Sequence, residues 1–231
     1  MAMCQRFIAT VLMVVCASVA RAQPAGAASV EASGDAIVFA GQINAGTAAQ
    51  FLQLLQDPGI KRLVITSRGG SVAAALDMAL AVHDRQLDIE VPASCLSSCA
   101  NYIFPAARRK TLGRPGVVAW HGNMAHVLFL QQTGQNSWSE SELRSARELA
   151  LREAEFFRRI RVDGFVCWFA KIAPYDVDDF YYLSAQDMER FGIHDVSVGN
   201  ESPVPASPEL LKVSVDWPTL EASRPAMKVQ E

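Results

Sequence analysis

The chain has 231 residues, half of them hydrophobic and 19% charged, with a net charge of −3. That length can bury one good core as a single domain with tails. The charge balance gives no reason to expect nucleic acid as a partner, and the sequence carries no visible internal repeat.

The N-terminus has the layout of a secretory signal peptide. Arg6 supplies a positive charge, residues 7–17 are an apolar run, and Ala20-Arg21-Ala22 is a small-x-small cleavage site. The run is short for a bilayer span, and the bulky Val15 before Cys16 argues against a lipoprotein. Residues 1–22 are therefore expected to be removed, with the mature protein periplasmic or secreted. Cleavage leaves Cys95, Cys99 and Cys167. Disulfides are allowed in such a compartment; Cys95 and Cys99 are a candidate pair, although spacing alone does not prove bridging geometry. An odd count leaves one thiol over within the monomer. No Cys/His cluster has a closed zinc spacing, so no metal is expected.

Residues 23–35, rich in Ala, Gly and Ser, are expected to be a flexible leader. A strand follows at 36–40, closed by Gly41. Thr47 and Gln50 suggest a capping box before a helix whose Ala48, Phe51, Leu52 and Leu55 share a face. Asp57-Pro58-Gly59 ends it. Residues 63–66 are a short buried strand, leading into Arg68-Gly69-Gly70-Ser71 and a helix of small residues from Val72. The strand at 87–91 precedes Cys95-Leu96-Ser97-Ser98-Cys99-Ala100 and a further helix, which Pro105 would kink or end. Arg108-Arg109-Lys110 is expected to be a solvated basic turn. The strand at 116–120 ends at His121.

Ser139 and Glu142 form a second capping box. Leu143, Ala146, Ala150, Ala154, Phe157 and Ile160 make the apolar stripe of a long helix over about 140–161, suited to packing on its own sheet or between subunits of a homo-oligomer. A short helix is expected at 186–191, stopped by Gly192. Residues 201–231, with five prolines from Pro203 to Pro225, are expected to be a largely irregular tail, with 211–215 a candidate edge strand. His83 and His194 suit surface or packing positions, and His126 is a reserve base.

The alternation of strand and helix predicts an α/β fold with a largely parallel sheet over 36–200. In such sheets ligands sit at the carboxyl ends of strands. Gly69-Gly70, Ser97-Ser98 and His121 each follow a strand. A hydroxyl beside an imidazole is the arrangement that makes serine a nucleophile, and backbone N–H groups in a glycine turn suit a developing oxyanion.

The order Gly41-Gln42-Ile43, Ser67-Arg68-Gly69-Gly70-Ser71, Ser98 with Ala100 two residues on, His121, and Leu183-Ser184-Ala185 with Gly192 resembles the Clp protease proteolytic subunit family, within the ClpP/crotonase fold. It looks closest to exported, ClpP-like bacterial proteins, over about residues 37–197. The resemblance implies a parallel sheet of repeated β-β-α and β-α units with helices packed on it. It also implies a serine peptidase with no cofactor, acting on peptides or unfolded protein and commonly assembled into rings. By that resemblance Ser98 is the nucleophile and His121 its base, 23 residues apart (121 − 98). Gly69, Gly70 and Cys99 supply the oxyanion hole. The family's acid falls on Phe180, so Asp179 is the expected third member, with Asp178 and Asp176 in reserve. Arg68 replaces the usual proline. Two other readings stay open: a non-catalytic binding or assembly module of the same fold, and a crotonase-type acyl-CoA enzyme.

Overall fold

The strands expected at 36–40, 63–66, 87–91 and 116–120 form, while β-strands at 29–33, 94–96, 110–112, 180–182 and 196–198 arise where none was expected. The computed structural model describes residues 28–113, 115–199 and 209–225. In chain order its first elements are β1 (Ser29–Ser33), β2 (Ala36–Ala40), α1 (Ala45–Leu54), β3 (Arg62–Thr66), α2 (Val72–Asp84), β4 (Asp88–Val91) and β5 (Ser94–Leu96). A π-helical turn, Cys99–Ile103, then runs into α3 (Phe104–Ala106). There follow β6 (Lys110–Leu112), β7 (Val117–Ala119), α4 (Met124–Gln132) and α5 (Glu140–Ile160). Two 3-10 turns, Gly164–Cys167 and Phe169–Lys171, lead to β8 (Phe180–Tyr182), α6 (Ala185–Arg190), β9 (Val196–Val198), β10 (Leu210–Lys212) and α7 (Trp217–Ser223).

One sheet runs in the order β1-β2-β3-β4-β6-β9 and is parallel except for the β1–β2 pair. β5 pairs with β7 and β8 with β10, both parallel, and an antiparallel bridge between Trp120 and Tyr181 joins the two pairs. The segments β4-β5-helix and β6-β7-α4 are successive β-β-α units, with β4 beside β6 and β5 beside β7. The expected α/β class with a mostly parallel sheet and packed helices is what forms.

The core lies between the large sheet and α1, α2, the π-helical turn with α3, and α5. Ile37, Phe39, Leu63, Ile65, Tyr102, Phe104, Trp120 and Phe156 are all buried in it. Small residues on α2, among them Ala75 and Ala79, lie fully buried there, which lets the helix sit close to its neighbours.

Several local expectations are corrected. The signal peptide expected at 1–22, and 23–27 of the leader, lie outside the described residues. Residues 29–33, assigned to the flexible leader, form β1 because Val30 and its neighbours find a complete antiparallel register on β2. The N-cap of α1 is Asn44, whose Oδ1 accepts from the Thr47 N–H while Thr47 Oγ1 accepts from the Asn44 N–H. The box therefore starts three residues before Thr47. In the basic turn, Arg108 and Arg109 pair with Asp88, and Lys110 is buried rather than solvated. Its ammonium donates to the Ala107 and His194 carbonyls at 2.7 and 3.0 Å, and burial pushes its pKa down to about 8. On α5, Ala154 is exposed and Glu153 is buried in its place. The described part of the tail is ordered as β10 and α7, with Leu220 buried. Residues 201–208 and 226–231 lie outside the description.

Candidate active site

The site is built where β5 and β7 end side by side. Leu96 pairs with Ala119, and the Ser97 N–H donates to the Ala119 carbonyl at 3.1 Å. One residue past β5 is Ser97, and two past β7 is His121. Ser97 turns into the left-handed region, with φ +55°. That is uncommon for a residue with a Cβ and costs on the order of 1–3 kcal/mol. The turn swings its side chain over the end of β7. Ser97 Oγ lies 2.7 Å from His121 Nε2.

The expected pairing of Ser98 with His121 is therefore not the one that forms. Ser98, one residue on, has helical φ and ψ of −59° and −25°. Its side chain is buried, and its Oγ accepts from the Gly70 N–H at 2.8 Å. A one-residue step at a strand-to-helix turn sends the two hydroxyls in different directions. The family-like spacing that selects Ser98 is therefore one residue off the serine that meets His121.

Cys95 and Cys99 are joined by a disulfide with a Cα–Cα distance of 5.2 Å. It closes a loop over Leu96, Ser97 and Ser98. Among the described residues Cys167 is the free thiol, and it is buried.

The Gly69-Gly70 turn packs directly on the serine turn. A Cβ on Gly69 would lie 2.8 Å from the Leu96 carbonyl oxygen and 2.8 Å from Ser97 Cβ, and Gly69 has φ +92°. Both strain and collision forbid a side chain there. We expect Gly69→Ala to lower stability by about 2 kcal/mol or more, read as a fall in urea midpoint at unchanged m-value.

The N–H groups expected to form the oxyanion hole are placed differently from one another. Gly69 N–H donates to Ser67 Oγ at 3.0 Å, and Gly70 N–H to Ser98 Oγ. Cys99 opens the helix, where no intrahelical carbonyl can reach its N–H; Ser98, just before it, is in the same position.

The third member also differs. Asp179 is exposed; its backbone carbonyl, with that of Asp178, accepts from the Lys171 ammonium. Among the described residues no carboxylate is hydrogen-bonded to His121. The Phe180 ring packs on the imidazole instead, centroids 4.5 Å apart. His121 is pushed below the ordinary histidine value first by partial burial and then by the Lys171 charge. His126, the reserve base, is buried and stacks on Trp168 at 5.5 Å. Burial pushes its pKa down to about 4, and among the described residues its Nε2 has no hydrogen-bond partner.

On the far side of the glycine turn a hollow of about 500 Å³ is lined by Gln42, Ser67, Arg68, Gly69, Gly70 and Ser94. Arg68 pairs with Glu209 at 3.1 Å, which brings the C-terminal segment alongside. A hollow of about 540 Å³ elsewhere, over Arg62, Asp88 and Arg109, contains none of these residues. Among the described residues no cluster of three His, Cys, Asp or Glu side chains is placed to hold a metal ion, and no helix is long and apolar enough to cross a membrane.

No protein-family model matches the chain, and no curated protein does. Partial likeness to solved structures exists. A methylmalonyl-CoA decarboxylase matches at 11% identity and TM-score 0.29, over 36% of this chain and 44% of that one. DspI of Pseudomonas aeruginosa matches at 12% and 0.29, over 41% and 48%. A probable enoyl-CoA hydratase/isomerase from Mycobacterium abscessus matches at 8% and 0.29, over 37% and 46%. The chain thus spans less than half the length of these structures, and likeness at this level carries no argument about family or activity.

Proposed function

We propose that the protein is an exported serine hydrolase, a peptidase of the ClpP-like kind acting on short or unfolded peptides through Ser97 and His121. The observation that carries this is the 2.7 Å contact between Ser97 Oγ and His121 Nε2. It sits at the carboxyl ends of two parallel strands and beside a glycine turn. For Nε2 to accept the serine proton, Nδ1 must carry the other hydrogen. Ser97 Oγ then attacks the carbonyl carbon as its proton passes to Nε2. The new oxyanion is met by the N–H groups of Ser98 and Cys99 at the start of the helix. His121 returns the proton to the leaving amine, and water activated by the same nitrogen releases the acyl group. Export is supported by the N-terminal sequence pattern and suits the Cys95–Cys99 disulfide.

With no carboxylate on Nδ1 among the described residues, and with Lys171 opposing an imidazolium, turnover is expected to be slow. Loss of the proper carboxylate function costs a serine triad about 10⁴ in kcat. A fluorophosphonate probe reads the nucleophile without a known substrate. The full-length protein should be labelled, and His121→Ala should not. The labelling rate should rise with pH to a plateau whose midpoint lies below the ordinary histidine value of 6.5. The sign follows from the base form: a depressed pKa keeps His121 neutral, and able to take the proton, to lower pH. Equal labelling of wild type and His121→Ala would sink the proposal.

That no described carboxylate reaches His121 favours a second reading, a non-catalytic binding or assembly module of the same fold; it predicts no labelling at all. An acyl-CoA enzyme would use backbone N–H groups on a thioester carbonyl but leaves the Ser97–His121 contact without a role.

A further inference from the structure

We propose that Glu153 is a positioning residue that holds His121 against Ser97, an inference that rests on the hydrolase reading above. Glu153 lies mid-way along α5, in the inward row that includes Ala150 and Phe157, and is 1% exposed. A carboxylate in such a row costs several kcal/mol unless its oxygens are fully met. Here they are met by groups from the two elements that carry the site. The Tyr102 hydroxyl donates to Oε1. The Met124 N–H donates to Oε1 at 3.1 Å and the Ala125 N–H to Oε2 at 3.4 Å.

Tyr102 is five residues beyond Ser97 (102 − 97), on the helix that the serine turn launches. Met124 and Ala125 are three and four residues beyond His121, in the first turn of α4. One carboxylate therefore ties the nucleophile's helix to the histidine's loop. The carboxyl also sits at the positive end of α4, which favours its ionised form. Asn101 makes a parallel tie, its Nδ2 donating to the Gly122 carbonyl at 2.8 Å. With Asn123 Oδ1 already accepting from the His126 N–H, α4 has a cap of its own. Glu153 adds the link across elements that a cap alone lacks. Burial raises its pKa to about 7, against the lowering by the Tyr102, Met124 and Ala125 hydrogen bonds.

Imidazole must be placed to within a fraction of an ångström, and a 1 Å error can cost about 100-fold. The experiment compares Glu153→Met, which fills the volume but lacks a carboxylate acceptor, with Glu153→Gln, whose amide oxygen still accepts. Fluorophosphonate labelling of the full chain is resolved into maximal rate and half-saturation, with Ser97→Ala alongside. Glu153→Met should lose about tenfold or more in maximal rate with half-saturation within about twofold, and Glu153→Gln should stay within about threefold of wild type. A folded Glu153→Met at the wild-type rate overturns the proposal, as does an equal loss in both variants. Labelling that survives Ser97→Ala overturns the hydrolase reading instead.

A second readout needs no activity. The chain has four histidines, so the His121 imidazole ¹⁵N signals are assignable. The Nε2 signal should shift in Glu153→Met toward a ring without the serine hydrogen bond; an unchanged signal overturns the proposal even in a protein that no probe labels. Should Glu153→Met fail to fold, Glu153→Gln with Tyr102→Phe is held to the same expectations, because it weakens both ties with little change in volume.

Discussion

Replacing Ser97 with alanine is expected to lower fluorophosphonate labelling by about 10³-fold or more, while Ser98→Ala keeps it within about tenfold of wild type. The two adjacent hydroxyls do different work. Ser97 Oγ faces His121 Nε2 at 2.7 Å and is only half-buried, so a probe can reach it. Its removal takes away the nucleophile and one exposed hydrogen bond, and the melting temperature should barely move. Ser98 Oγ is buried and accepts from the Gly70 N–H. Its removal takes away a bond that pins the glycine turn to the helix start, a loss of about 1 kcal/mol. The expected outcomes therefore cross over: Ser97→Ala is inactive and stable, Ser98→Ala active and less stable. Labelling abolished only in Ser98→Ala would show that Ser98, which the ClpP-like spacing selects, is the nucleophile after all.

Much of the fold is legible because hydrophobic periodicity and capping act locally. Residues 36–40, 63–66 and 87–91 announce their strands, and Ser139 with Glu142 announces the start of α5, where the box is found intact. The site is legible to the level of the turn. Gly69-Gly70, the paired serines and His121 each follow a strand, and the parallel register of β5 on β7 brings the latter two together. What fails is anything decided by the direction of one side chain. Which serine meets His121 depends on the positive φ at Ser97, a conformation that its residue type does not signal. Glu153 stands beside Ala154, and a stripe drawn through apolar residues alone passes through Ala154. Only the facing Tyr102 hydroxyl and the N–H groups of α4 show why a carboxylate occupies the buried row. His121 rests on Phe180, the residue that alignment put at the acid position, because the chain there is strand β8 and Phe180 packs against Leu96, Val117 and Ala119 of β5 and β7. Asp179, one residue earlier, is exposed.

The strained turn also sets what the disulfide does. Cys95 ends inside β5, Cys99 opens the helix, and both are fully buried. Closing a loop of about five residues removes roughly 2 kcal/mol worth of unfolded-chain entropy. The left-handed conformation at Ser97 costs about the same. With the link in place, the turn has few other ways to join β5 to the helix. Without it, Ser97 is free to relax toward negative φ, and that rotation carries Oγ away from His121. Cys95→Ala with Cys99→Ala is the clean test, because a reductant cannot reach the buried sulfurs until the turn opens. The double variant should lose about 2 kcal/mol in urea unfolding, and its labelling rate should fall about tenfold or more. Stability lost with labelling unchanged would mean that β5, β7 and the Gly69 contact hold Ser97 in place by themselves. Labelling lost from a variant of wild-type stability would mean that the link acts on the serine turn and not on the fold.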